Sequence, residues 1–401
     1  MRTSLYAFPS DLVDEGPDQV LKRVRAWGVD AVTLALAYHQ ARDLTPHARG
    51  RRLVYRDDGV FVPLPPHLWD GVRLRPPAQD AEEVAASARL RELTAPGELL
   101  AWTVFLHNTT LGAAHPDTAT KNCFGDRLLA DLCPAHPDVA DYAVALARTV
   151  FAATGAPVVA EALSYGTFDH GHHHERSFVP LGAGDRVLLG LCFCAHCRRE
   201  ARASGVDADR LRAATAAHLE RALAGERQDT PDFVESLCAV VGDDLAAYLA
   251  VRQRIVTGLA RRVAEAVRAD GGSLTYLDLT GALLGYGSGT PDGPLVAQQG
   301  WRLGVDAASI ASVVDGYATL GYAREVARLR ADVGSVMEAL AGRCPVRVVL
   351  RPGHPDTPDA SNLSRKVAAC ADLGVHAVDF YHYALYPWPV LDRIPTSIST
   401  E

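Results

Sequence analysis

Short apolar runs alternate along the chain with longer stretches whose apolar residues recur at helical spacing, an order that predicts α/β architecture. Eight runs read as strands: Ser4 to Phe8, Ala31 to Tyr38, Leu99 to Leu106, Pro157 to Leu163, Ser273 to Leu279, Val313 to Leu320, Val346 to Leu350 and Ala377 to Tyr383. Helices are expected at about Pro17 to Trp27, Ala81 to Leu93, Asp138 to Thr154, Tyr248 to Ala269, Ala323 to Ala341 and Ser364 to Leu373. Eight βα units without an internal repeat favour one closed (β/α)8 TIM barrel over residues 1–401, with a doubly wound open sheet as the alternative. Long insertions are expected after the second, third and fourth strands, and a long loop after the fifth. The largest insertion, residues 164–247, carries a histidine cluster and a cysteine cluster. A barrel places its active groups at the C-terminal strand ends and in the loops that follow them.

Composition narrows the function classes. The chain is 48% hydrophobic and 22% charged, with a net charge of −8, so it has no basic footprint for nucleic acid or an anionic membrane. No apolar run approaches the roughly 20 residues of a membrane span. The opening Met1-Arg2-Thr3-Ser4-Leu5-Tyr6 enters a strand at once and lacks a secretory pattern, so a cytoplasmic location is expected. Abundant Ala and Arg with little Lys suggest a bacterial, GC-rich source. No Gly-x-Gly-x-x-Gly turn follows the first strand, and neither a Walker-type loop nor a Gly-x-Ser-x-Gly elbow is present.

Three of the eight cysteines fall within six residues, in Cys192-Phe193-Cys194-Ala195-His196-Cys197. This spacing lets three thiolates converge on one soft cation, and zinc completes its tetrahedron with a fourth ligand. Cys133 is the preferred fourth ligand because its loop should adjoin that of the fourth strand; His196 is the alternative, and three metal-free thiols are the plain one. Four protein ligands close the shell, so the expected Zn2+ is structural.

Leu132-Cys133-Pro134-Ala135-His136-Pro137 ahead of a helix, a Glu ending the fourth strand (Glu161), and Cys192 to Cys197 followed by Arg198-Arg199-Glu200 together resemble the catalytic barrel of glycoside hydrolase family 42. The match is good over about residues 99 to 200 and elsewhere rests on barrel order. The resemblance implies zinc on Cys133, Cys192, Cys194 and Cys197, Glu161 as the acid/base carboxylate, and a homo-oligomer. The chain lacks room for that family's additional C-terminal domains. It also departs from the family in two places. Ala160 stands where an Asn precedes the acid/base, and Arg351 stands where the seventh strand supplies a nucleophilic Glu.

A raised pKa would let Glu161 protonate a leaving oxygen; a structural ion pair with an Arg is the alternative. The second carboxylate is open among Asp278, Asp315, Asp169 and Asp379. Asp278 is chosen, the alternative being that it pairs with Arg351 inside the barrel mouth. The run Asp169-His170-Gly171-His172-His173-His174 can contact substrate, bind a metal, or form a solvated loop. Tyr38, His39 and Arg42 follow the second strand, and His107 and Asn108 the third. Tyr165 follows the fourth, with Tyr381 and His382 at the eighth. With Asp169, His170, His172, His173 and Arg351, these suit a sugar-like pocket, because rings stack on sugar faces while His, Asn and Arg read hydroxyls. Trp301 and Trp388 are candidate walls.

The expected function is a glycoside hydrolase-like enzyme acting on a small sugar or glycoside, atypical for lack of the usual nucleophile. The alternatives are a non-hydrolytic barrel enzyme, an isomerase or lyase on a sugar or cyclitol, and a non-catalytic carbohydrate-binding protein.

Overall fold

Eight parallel strands close on themselves in a computed structural model that describes residues 1–170, 176–226 and 230–399. They are β1 (Arg2–Ala7), β2 (Ala31–Tyr38), β3 (Leu99–Val104), β4 (Val158–Glu161), β5 (Leu274–Asp278), β6 (Gly316–Leu320), β7 (Val346–Leu350) and β8 (Ala377–Phe380). Each pairs with its sequence neighbours, and β1 pairs with both β2 and β8, which completes the (β/α)8 barrel and rules out the open sheet. All eight expected runs became strands, because each is long enough to cross the barrel wall and apolar enough to be buried on both faces.

Side-chain alternation divides the core in two. One face of each strand packs on the surrounding helices, among them Pro137–Thr154, Asp244–Ala269 and Val326–Leu340. The other face fills the barrel with Tyr6, Ala35, Trp102, Val159, Leu277, Ala318 and Val349. The strand ladder of β2 shifts register against β3 between Ala35 and Ala37. This bulge leaves Leu36 and Ala37 both on the helix side and returns Tyr38 to the interior.

A buried polar layer lies deeper in the barrel. Arg347 grips Asp379 from Nε and Nη2 at 2.8 and 2.5 Å, and Ser4 Oγ donates to the same carboxylate at 2.6 Å. Thr33 Oγ1 meets Ser4 Oγ at 2.7 Å.

Three insertions rise above the strand ends. After β2 the chain makes a hairpin, Ala41–Leu44 with Leu53–Arg56, and after β3 a second one, Ala119–Lys121 with Arg127–Leu132. Sequence patterning anticipated neither hairpin. The insertion after β4 contributes helices Ala183–Leu189, Ala195–Ala203, Ala208–Leu223 and Val234–Val241. A buried His218–Asp185 contact at 2.8 Å ties two of these helices together. No helix among the described residues is long and apolar enough to cross a membrane.

Candidate active site

Glu161 is the last residue of β4, paired with Val104 on β3 and Leu277 on β5. It shares the inward phase of Val159, so its carboxylate enters a cavity of about 590 Å3 at the C-terminal mouth of the barrel. The next residue, Ala162, sits in the left-handed region at φ 53°, a conformation that costs a non-glycine residue about 1–2 kcal/mol. Hydrogen bonds from Phe105 N to Glu161 O and from Leu106 N to Ala162 O, at 2.9 and 3.1 Å, hold the turn. Strain of this kind persists where the surroundings over-determine it.

Burial pushes the Glu161 pKa up to about 7, against the opposing hydrogen bond from Trp102 and the nearby His107. Trp102 Nε1 donates to Glu161 Oε2 at 2.5 Å. The side chain is half-buried, reached from the cavity while the protein around it withholds most water. Glu161 is therefore part protonated near neutral pH, as a proton donor to a substrate oxygen must be.

Three imidazoles border it. His107 Nδ1 meets Asp131 Oδ1 at 3.1 Å; burial opposes protonation of His107, but the Asp131 carboxylate outweighs it and raises the pKa. His39 behaves oppositely, since burial and the neighbouring His107 lower its pKa to about 3. His39 packs edge-on to His107 at 5.0 Å, and His170 stacks on His107 at 4.9 Å. Asp131 is fixed from the other side by Gly166, where a Cβ would lie 2.2 Å from the carboxylate carbon. Rings of Tyr6, Tyr38, Tyr286, Tyr322 and Tyr381 give the cavity an aromatic lining suited to the apolar face of a sugar.

Among the expected site residues, Glu161, Tyr38, His39, Arg42 and His107 meet at this cavity, as do Tyr165, Asp169, His170 and Tyr381. Others are placed elsewhere. Asp278 is buried outside the cavity; its carboxylate accepts from Thr280 N and Oγ1 at 2.9 and 2.6 Å and from Tyr317 OH at 2.8 Å. Leu277 is the inward residue at that end of β5, so strand alternation turns Asp278 toward the helices. Arg351 does not pair with Asp278. Its Nε lies 2.6 Å from Asp356, it donates to the backbone of Tyr286 and Gly285, and it does not line the cavity. Asn108 caps the helix Thr109–Ala114 through Leu111 N at 2.8 Å, and His382 is buried against Phe8 at 4.0 Å. Asp379 and Asp315 are engaged by Arg347 and Arg268, and Asp169 pairs with Arg186 at 2.6 Å. Trp388 stacks on His47 at 3.8 Å and Trp301 packs on the core, so neither is a wall. His172 and His173 lie outside the described residues.

Trp102, Asp131 and Tyr6 escaped sequence reasoning. The inward phase of β1 and β3 marks Tyr6 and Trp102, but Asp131 reaches the site through a hairpin no periodicity announced.

The sulfurs of Cys133, Cys192, Cys194 and Cys197 lie within 4.8 Å of one another, and all four residues are buried. Cys133 Sγ is 3.5 Å from Cys194 Sγ, 3.5 Å from Cys197 Sγ and 3.8 Å from Cys192 Sγ. Four thiolates around zinc at about 2.3 Å stand about 3.8 Å apart, so this donor set fits a tetrahedral soft cation. Backbone amides of Lys121 and Cys197 point at Cys192 and Cys194 at 3.3 and 3.4 Å, and Tyr165 OH contacts Cys197 Sγ at 3.3 Å.

No family model matches the sequence, and neither does any curated protein. The fold does have solved counterparts, among them a β-galactosidase and a putative chitinase domain. A β-galactosidase from the psychrophilic Marinomonas ef1 is similar at 11% identity and a TM-score of 0.50, over 99% of this chain and 59% of that one. The C-terminal domain of a putative chitinase from Desulfitobacterium hafniense aligns at 8% identity and a TM-score of 0.46, over 98% of this chain and 99% of that one. At such identities the likeness is one of fold, and the chain spans 59% of the length of the galactosidase.

Proposed function

We propose that the protein is a glycoside hydrolase-like enzyme, a divergent relative of family 42, acting on a sugar or glycoside with Glu161 as general acid/base. The observation that carries this reading is a strand-end carboxyl inside an aromatic-lined barrel mouth, its pKa raised by burial to about 7. Trp102 orients one carboxylate oxygen, which leaves the other to give a proton to the departing oxygen and to take one from the incoming water. His107 and Asp131 supply a hydrogen-bonded pair beside it.

Asp278 is engaged by Thr280 and Tyr317 and stands outside the cavity, and Arg351 is a cation held by Asp356, so neither position supplies a carboxylate opposite Glu161. That observation favours, as the second reading, chemistry that does not form a glycosyl-enzyme ester, including the isomerase or lyase alternative. Aryl glycosides incubated with wild type and Glu161→Gln, with products followed by NMR, separate these outcomes. Cleavage lost in the variant supports hydrolysis, a rearranged product supports the second reading, and binding without turnover supports a carbohydrate-binding protein.

We further propose that Cys133, Cys192, Cys194 and Cys197 hold a structural zinc ion. It would supply folding free energy to the insertion. Elemental analysis is expected to find about one zinc per chain in wild type and a loss, with lower thermal stability, in Cys194→Ser; unchanged zinc in that variant defeats the assignment.

A further inference from the structure

Four arginines line the cavity, and three of them are accounted for. Arg42 is exposed on the first hairpin, Arg186 pairs with Asp169, and Arg302 pairs with Asp232. Arg252 differs. It lies on the inner face of the helix Asp244–Ala269, 1% exposed, and forms no ion pair with any carboxylate among the described residues. Its Nη2 donates to Arg302 O at 3.2 Å, while Nε and Nη1 are buried without an acceptor among the described residues. The guanidinium stands 4.3 Å over the Tyr165 ring. A cation taken out of water without a counter-charge is costly, and a cation–π contact offsets part of that cost only.

We infer that Arg252 is the anion-recognising wall of a substrate subsite, which takes a glycoside bearing a carboxylate or a sulfate ester. This rests on the glycoside reading of the Glu161 cavity. The planar fork of a guanidinium matches the paired oxygens of either anion. Arg252 and Glu161 both line the cavity. Arg252 also leaves Glu161 unquenched, since the groups that oppose its raised pKa are Trp102 and His107. The competing use of Arg252 is to balance thiolate charge at the cysteine cluster. Against it, Tyr165 stands at the cysteines through its own hydroxyl, and Arg252 makes no hydrogen bond to a sulfur among the described residues.

The test uses the whole chain with the Glu161→Gln background for binding and the wild-type background for turnover. Calorimetric affinities for glucuronate, glucose 6-sulfate and glucose are compared with and without Arg252→Gln, alongside kcat/KM for p-nitrophenyl glucuronides and glucosides. One anion is expected to bind about 10- to 100-fold tighter than glucose, and Arg252→Gln is expected to erase that margin. Whichever of glucuronate and glucose 6-sulfate shows the margin identifies the anion. A margin that survives in Arg252→Gln overturns the inference, as does a protein that never prefers the anion. So does a fall in zinc content with the preference intact. If Arg252→Gln fails to fold, Arg252→Lys keeps the charge but loses the fork and should shrink the margin; an unchanged margin there also overturns it. Anion binding without cleavage of any glycoside retains the subsite and defeats the hydrolase reading. Cleavage of neutral glycosides with no anion preference does the reverse.

Discussion

Two carboxylates project into the same barrel, and both act on the buried Tyr6 hydroxyl. Asp379, in the lower layer, has two guanidinium donors and a serine hydroxyl. Glu161, at the mouth, has one indole donor and a pKa raised to about 7. Three donors hold the Asp379 carboxylate in place and make it part of the scaffold. A deficient set leaves Glu161 able to gain or lose its proton at working pH. The two acids share one interior and differ in the number of donors around them, three at Asp379 and one at Glu161.

The largest effect expected from breaking this comparison is at Glu161. Glu161→Gln should lower kcat/KM by about 10²–10⁴-fold in steady-state assays while the fold persists. The same variant carries a stability signature. A carboxyl whose folded pKa is raised from 4.5 to about 7 contributes stability that is full below the unfolded pKa and is lost as pH rises through the folded one. Glu161→Gln should therefore be more stable than wild type at pH 8 by roughly 1–3 kcal/mol, with the gap closing near pH 4, as read by chemical denaturation. A constant gap across that range would mean that Glu161 does not titrate as described.

Next comes Asp379→Ala, which strands the Arg347 cation in the barrel. Removing one partner of a buried pair costs about 3–5 kcal/mol, so the denaturation midpoint should fall sharply while the remaining folded enzyme keeps its pH profile. A displaced profile would show that the lower layer communicates with the mouth. The smallest effect is expected at Asp131→Asn, which keeps shape and removes charge. His107 should then titrate at lower pH by NMR, and activity should drop about tenfold. An unmoved His107 midpoint would dissolve the pair.

The scaffold was legible because buried parallel strands must be short and apolar, and β2 and β7 begin and end where their apolar runs do. The residues past Phe380 were harder. Tyr381, His382 and Tyr383 read like strand, yet they leave the ladder to pack on Tyr6, Phe8 and Trp388. The two hairpins were hidden because their strands interleave Arg and Asp with Ala and Leu, which weakens any two-residue alternation. At the site, the position of Glu161 follows from strand order and phase. Asp278 was misjudged because a strand end says nothing of phase; its inward neighbour Leu277 decides the matter. The contact of Asp131 with His107 and the isolation of Arg252 depend on segments far apart in sequence, and no local pattern encodes either.

The bulge in β2 gives the barrel a spare residue. With Leu36 and Ala37 both on the helix side, the strand holds one more unit of chain than its neighbours need. Deleting one of the two would restore plain alternation and still deliver Tyr38 to the same wall, whereas an added residue would trade it for whatever precedes or follows. Length at this point is thus a dial on which side chain lines the cavity, and it can be turned in single-codon steps without touching hydrogen bonds on the other six interior seams.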